Sequence, residues 1–231
     1  GSVDGTNINH HNLTRCEKFD LEFHIPVRVC ERADFYRRSL QPVKCDMTHS
    51  VRRISLVHLN SHSVEHSVGC SNLPRIFVVN ARSLTKNNAV QLLHTDLTAL
   101  DIDIAAITET WLHKVHSDSS VAINGYALFR LDRVGRKGGG VCVYVRDGLH
   151  ATCLHTAKHK FGLINKHELL WVTFTKSNVK FLFGVLYHPP RAQYEVNELI
   201  DRLHCDIEEL VSLHPGSLIF LVGDFNRLDI T

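Results

Sequence analysis

The run Leu218-Ile219-Phe220-Leu221-Val222 constrains this chain more than any other feature. An extended segment points successive side chains to opposite faces, so an unbroken apolar run leaves neither face for water. Such a strand must be covered on both sides, which calls for a layered fold. Similar runs precede it at Ile76 to Val79, Ile104 to Ile107, Tyr126 to Phe129, Val141 to Val145, Leu169 to Phe174 and Phe181 to Tyr187. Ser177-Asn178 reads as a hairpin turn between the last two. Residues 86–100 place Val90, Leu93, Leu97 and Leu100 at helical spacing. A longer helix sets Val196, Leu199, Ile200, Leu203, Ile207, Leu210 and Leu213 along one face, with Asp201, Arg202, Glu208 and Glu209 outside it. Mixed strands with two long helices predict a layered α/β domain. The run 218–222 is expected at the centre of a sheet, with neighbours that the following residues do not supply. For that reason, and because Met47 is the only methionine, the chain reads as a processed product or a piece of a longer frame.

A length of 231 residues with 44% hydrophobic and 22% charged residues suits one large α/β or β-rich domain, or one domain plus a shorter appendage, better than two full domains. Lys and Arg number 26 against 24 Asp and Glu, which excludes a polybasic coat. The cysteines at 16, 30, 45, 70, 142, 153 and 205 are irregularly spaced and form no CxxC pair. They read as reduced thiols of an intracellular protein, not as a disulfide framework or a zinc site. No apolar run reaches the roughly 18 residues of a membrane span, and the polar start lacks the order of a secretory signal. Residues 1–74 show no sustained period and read as an unassigned, poorly structured leader. Within it His62-Ser63-Val64-Glu65-His66 matches a zinc-peptidase pattern, but Ser, Val and Gly69 make a poor helix to present two histidines. Asn12-Leu13-Thr14 is a glycosylation sequon that needs a secretory route to matter.

From residue 75 onward several apolar runs end in polar residues: Asn80, Glu109, Tyr187, and Asp224 with Asn226. In layered α/β folds the crevice beyond the strand ends is where ligands sit. Glu109 and Asn80 offer the hard oxygens that Mg²⁺ accepts, usually beside waters and substrate phosphate. Asp224 is a candidate for orienting or deprotonating water, with Asn226 and Tyr187 offering hydrogen bonds to phosphate. Together these spell metal-assisted phosphodiester hydrolysis. Arg130, Arg133, Arg136 and Lys137 precede Gly138-Gly139-Gly140 and form a candidate contact to a nucleic-acid backbone, or else a solvated hairpin loop. The glycines match neither nucleotide-binding fingerprint, and no GxSxG is present.

Seven ordered blocks carry a resemblance: Asn80 to Leu84, Ile107 to Leu112, Gly125-Tyr126, Arg130-x-Asp132-Arg133, Gly138 to Val141, Tyr187 to Pro190 and Gly223 to Asn226. Over residues 75–231 they resemble the apurinic-like endonuclease domain of non-LTR retrotransposons, jockey-type elements in particular, within the endonuclease/exonuclease/phosphatase superfamily. The resemblance implies a four-layered α/β sandwich, incomplete at its C-terminal end. It also implies Glu109 as the principal Mg²⁺ ligand (Mn²⁺ as an alternative) with Asn80, Tyr187 at the phosphate, and Asp224 and Asn226 on the attacking water and scissile phosphate. Further implications are a DNA substrate nicked to leave a 3′-hydroxyl, a parent polyprotein with reverse transcriptase, and a nuclear location. The family's closing Ser-Asp-His signature does not occur before Thr231, so this chain is expected to cleave weakly or not at all. Two alternatives stand beside this reading: a phosphatase of the same superfamily acting on a phosphoinositide or other small phosphoester, and a non-catalytic nucleic-acid-binding remnant.

Overall fold

The computed structural model describes residues 73–154, 166–226 and 228. The leader through residue 72, with its His62/His66 pattern and Asn12 sequon, lies outside the described residues. The elements are β1 (Ile76–Asn80), α1 (Ala89–Ala99), β2 (Ile104–Thr108), β3 (Tyr126–Leu131), β4 (Val141–Arg146), β5 (Thr152–Leu154), β6 (Glu168–Lys176), β7 (Val179–Tyr187), α2 (Val196–Leu213) and β8 (Leu218–Asp224). They form two four-stranded sheets of order β1-β2-β4-β3 and β5-β6-β7-β8. Each sheet holds one parallel pair, β1 with β2 and β7 with β8, joined by α1 and α2 respectively. The other pairings are antiparallel.

Alternation along the strands sorts the apolar side chains into three cores. Ile76, Val78, Ile104, Ala106, Val143, Val172, Phe183 and Phe220 meet between the sheets. Their immediate neighbours Phe77, Ala105, Ile107, Cys142 and Tyr144 face outward onto Leu93 and Leu97 of α1. Leu169, Trp171, Leu182, Ile219 and Leu221 likewise meet Leu199, Leu203 and Leu210 of α2. The result is a four-layered α/β sandwich, helix on sheet on sheet on helix, and it explains why runs such as 76–79 and 218–222 are apolar at every position.

Several local features differ from the sequence reading. The run 218–222 is an edge strand: among the described residues β8 pairs with β7 alone, and its burial comes from the opposite sheet and α2. Leu100 is the C-cap of α1 and is 39% exposed, so it does not share the buried face. On α2 the buried stripe includes Arg202 and Asp206, while Val196, Ile200 and Leu213 are exposed. Arg202 is drawn inward because Asp206, 1% exposed, accepts from both its Nε (3.4 Å) and the Trp171 indole (3.2 Å). The turn at Ser177 and Asn178 is as expected, with both residues at positive φ as a two-residue hairpin of primed type requires. The short strand β5 had no apolar run to announce it. Cys142, Cys153 and Cys205 are free thiols. Among the described residues no helix is long and apolar enough to cross a membrane.

Candidate active site

The two parallel strand pairs end on one rim. Register pairs Asn80 with Thr108, one residue before Glu109, and Tyr187 with Asp224. The carboxy-terminal ends of β1, β2, β7 and β8 therefore deliver four of the five candidate residues to the same place. Asn80 Nδ2 donates to Glu109 Oε1 (2.8 Å) and to Asp224 Oδ2 (2.9 Å). The Tyr187 hydroxyl donates to the same Glu109 oxygen at 3.1 Å. Asn226 lies beside them, its backbone N–H donating to Asp224 Oδ1 at 3.1 Å.

The loops that present these groups are held in unusual backbone. Among the described residues, five of the ten non-glycine residues at positive φ, Arg82, Ser83, Glu109, Trp111 and Asn226, lie on the three loops of the site. Such conformations cost free energy and persist only where the surroundings over-determine them. Here Ser83 N–H donates to the Glu109 carbonyl (2.8 Å) on one side, and Trp111 N–H donates to the Gly139 carbonyl (2.8 Å) on the other. Glu109 is thus clamped between the loop after β1 and the glycine loop before β4. Gly223 precedes Asp224 because any Cβ there would overlap the Leu186 carbonyl of β7.

Side-chain orientation refines two expectations. Asn80 turns its nitrogen to the carboxylates and its Oδ1 to the Arg82 N–H (3.1 Å), so it tethers Glu109 to Asp224. Asn226 spends its amide nitrogen on the His188 carbonyl (2.7 Å), which fixes the loop that holds Asp224. The basic cluster divides in two. Arg130 is saturated by Asp132, Asp118 and the carbonyls of His113 and His116, and Arg133 donates from Nε to Glu168 and ion-pairs with it, so neither is a free surface cation. Arg136 and Lys137 are exposed. Glu168, unremarked in the sequence, accepts from Arg133 and from the Gly140 N–H. Its only signal was an acidic residue directly before the apolar run Leu169 to Val172.

Burial and the adjacent Glu109 hold the Tyr187 phenol well above its ordinary pKa, so it remains a donor. Among the described residues no three His, Cys, Asp or Glu side chains would hold an ion by themselves. The half-buried carboxylates of Glu109 and Asp224 suit a hard cation that keeps its waters and shares a substrate phosphate, which is how Mg²⁺ is commonly bound. They do not suit a closed zinc site, which needs four ligands and usually sulfur or imidazole.

Residues 62–229 match the Endonuclease/Exonuclease/phosphatase family. No curated protein matches the chain. Among solved structures, humanized D. rerio TDP2 carrying 14 mutations is 18% identical with a TM-score of 0.46, over 67% of this chain and 66% of that one. The AP endonuclease LMAP from Leishmania major is 16% identical with a TM-score of 0.48, over 74% and 60%. The endonuclease domain of TRAS1, a telomere-specific non-LTR retrotransposon, is 14% identical with a TM-score of 0.44, over 65% and 59%. The chain spans 66%, 45% and 59% of the first three structures it matches, all of them TDP2.

Proposed function

This chain belongs to the endonuclease/exonuclease/phosphatase family of hydrolytic enzymes, and we propose that its domain, residues 75–231, is a divalent-metal-dependent DNA endonuclease of the non-LTR retrotransposon type. The observation that carries the reading is the hydrogen-bonded set Asn80, Glu109, Tyr187 and Asp224, drawn together from strands of both sheets. Glu109 would hold the cation, Mg²⁺ by its donor chemistry and Mn²⁺ as an alternative, with waters and a substrate phosphate completing the shell. When bound, such a cation polarises the phosphoryl oxygen and neutralises charge on the leaving oxygen. Asp224, steadied by Asn80 and the Asn226 N–H, orients the attacking water and takes its proton. Tyr187, protonated, exchanges its bond to Glu109 for one to a phosphate oxygen. The water oxygen bonds to phosphorus, the P–O3′ bond breaks, and the leaving oxygen takes a proton from solvent to become a 3′-hydroxyl.

DNA is favoured over a small phosphoester by the exposed Arg136 and Lys137, on the loop whose Gly139 carbonyl braces the Glu109 turn. The seven sequence blocks support the retrotransposon branch, and with it a reverse transcriptase partner and a nuclear location. Nicking of supercoiled plasmid in Mg²⁺ tests the reading. Glu109→Ala and Asp224→Ala should each lower the rate by about 10²- to 10⁴-fold, and chelation should abolish it. Equal nicking by all three proteins rejects the site, and plasmid retention without nicking would leave a binding role alone.

A further inference from the structure

Glu168 is 5% exposed, yet the hydrolysis described above makes no use of it. Burial pushes its pKa up, while Arg133 and the Gly140 N–H pull it down. A buried carboxylate persists when paired and hydrogen-bonded, and Glu168 is both: Arg133 Nε donates to it at 2.6 Å, the guanidinium is in ion contact, and Gly140 N–H donates to its other oxygen. A buried ion pair is seldom a net source of stability compared with apolar residues of the same volume. Its location is informative. The Arg133 guanidinium carbon stands 5.5 Å from the centroid of the Tyr187 ring, within cation–π range. Glu168 and Tyr187 are direct cross-strand partners of β6 and β7. The space is reserved for the guanidinium, because a Cβ at Gly139 would overlap it.

Resting on the phosphodiesterase reading, we propose that Arg133 is a positioning residue: locked by Glu168 and the glycine loop, it holds the Tyr187 ring so that the phenol stays on Glu109 and faces the incoming phosphate. The device couples the loop before β4 to the phosphate-facing donor. It also accounts for an arginine that the sequence offers as a DNA contact yet the fold turns inward.

The test compares the paired replacement Arg133→Met with Glu168→Gln, which removes both charges and leaves an acceptor for Gly140, with Arg133→Lys and Tyr187→Phe. Labelling the ζ carbon of tyrosine with ¹³C gives resonances for the five tyrosines, of which Tyr187 is the one lost in Tyr187→Phe. The paired variant should shift the Tyr187 resonance while those of Tyr126 and Tyr144, which neither Arg133 nor Glu168 influences, stay in place. It should also lower kcat for plasmid nicking about 10- to 100-fold with KM within about twofold. Arg133→Lys, which keeps the cation, should recover part of both effects, and it carries the same readouts should the paired variant fail to fold. In a Tyr187→Phe background the paired change should cost nothing more. An unmoved Tyr187 resonance, or losses that multiply in that background, would overturn the proposal. Absence of nicking by the wild type would instead sink the nuclease reading, with the resonance still testing Arg133.

Discussion

Asn80 joins Glu109 and Asp224 through one amide nitrogen, and much of the site depends on that atom. Two carboxylates that share a donor need either that donor or a cation between them. Asn80→Asp removes the donor and adds a third negative charge. The variant should lose about 1–3 kcal/mol of stability in a chelator, and Mg²⁺ should restore part of it. Thermal unfolding with and without Mg²⁺ measures this, and an equal loss in both conditions would contradict a cation at Glu109. At this scale the residue types were legible, because Asn80, Glu109, Tyr187 and Asp224 each close an apolar run. Their orientations were not. Nothing in the order of residues says that Asn80 turns nitrogen inward, that Asn226 braces a loop, or that Arg130 and Arg133 fold back onto carboxylates.

Helix α2 shows the same contrast one level up. Its length and its apolar face were plain from the 3.6-residue period, yet the helix is rotated so that Arg202 and Asp206 lie beneath it. The cause is Trp171 on β6, whose indole N–H needs an acceptor once buried and finds Asp206. Asp206→Ala would leave an indole donor and a guanidinium buried without their acceptor. It should cost about 3–5 kcal/mol, read from the urea midpoint, and Asp206→Asn should cost less. A loss under about 1 kcal/mol would mean that the pair is not a structural requirement of this layer. Strand β8 carries a related lesson. Apolar composition on both faces establishes that it is covered twice, but says nothing of how many strands flank it.

Across the molecule, titration and salt report on burial and on the exposed charges. His167 is 7% exposed, and burial, with Arg202 nearby, pushes its pKa down to about 4. The unfolded chain binds this proton near pH 6.5 and the folded one only near 4, so stability is complete above pH 6.5 and falls as pH drops through that window. The loss should reach at most about 3 kcal/mol and should vanish from the difference between wild type and His167→Gln at pH 8. On the proposed nuclease reading, DNA affinity would rest on Arg136 and Lys137: replacing either with Ala should reduce the slope of log K against log salt by about 0.9, whereas Arg130→Ala should act through folding. The order of residues was sufficient for the layers, since hydrophobic alternation and period depend only on local neighbours and on the need to hide apolar surface. It was sufficient too for the polar residues that close each run. The meeting of Asn80 with Asp224, 144 positions away, came from elsewhere. So did the Glu168–Arg133 lock behind Tyr187. Those contacts arise from packing two distinct sheets face to face, and long-range partners and side-chain directions exist only once that packing is complete.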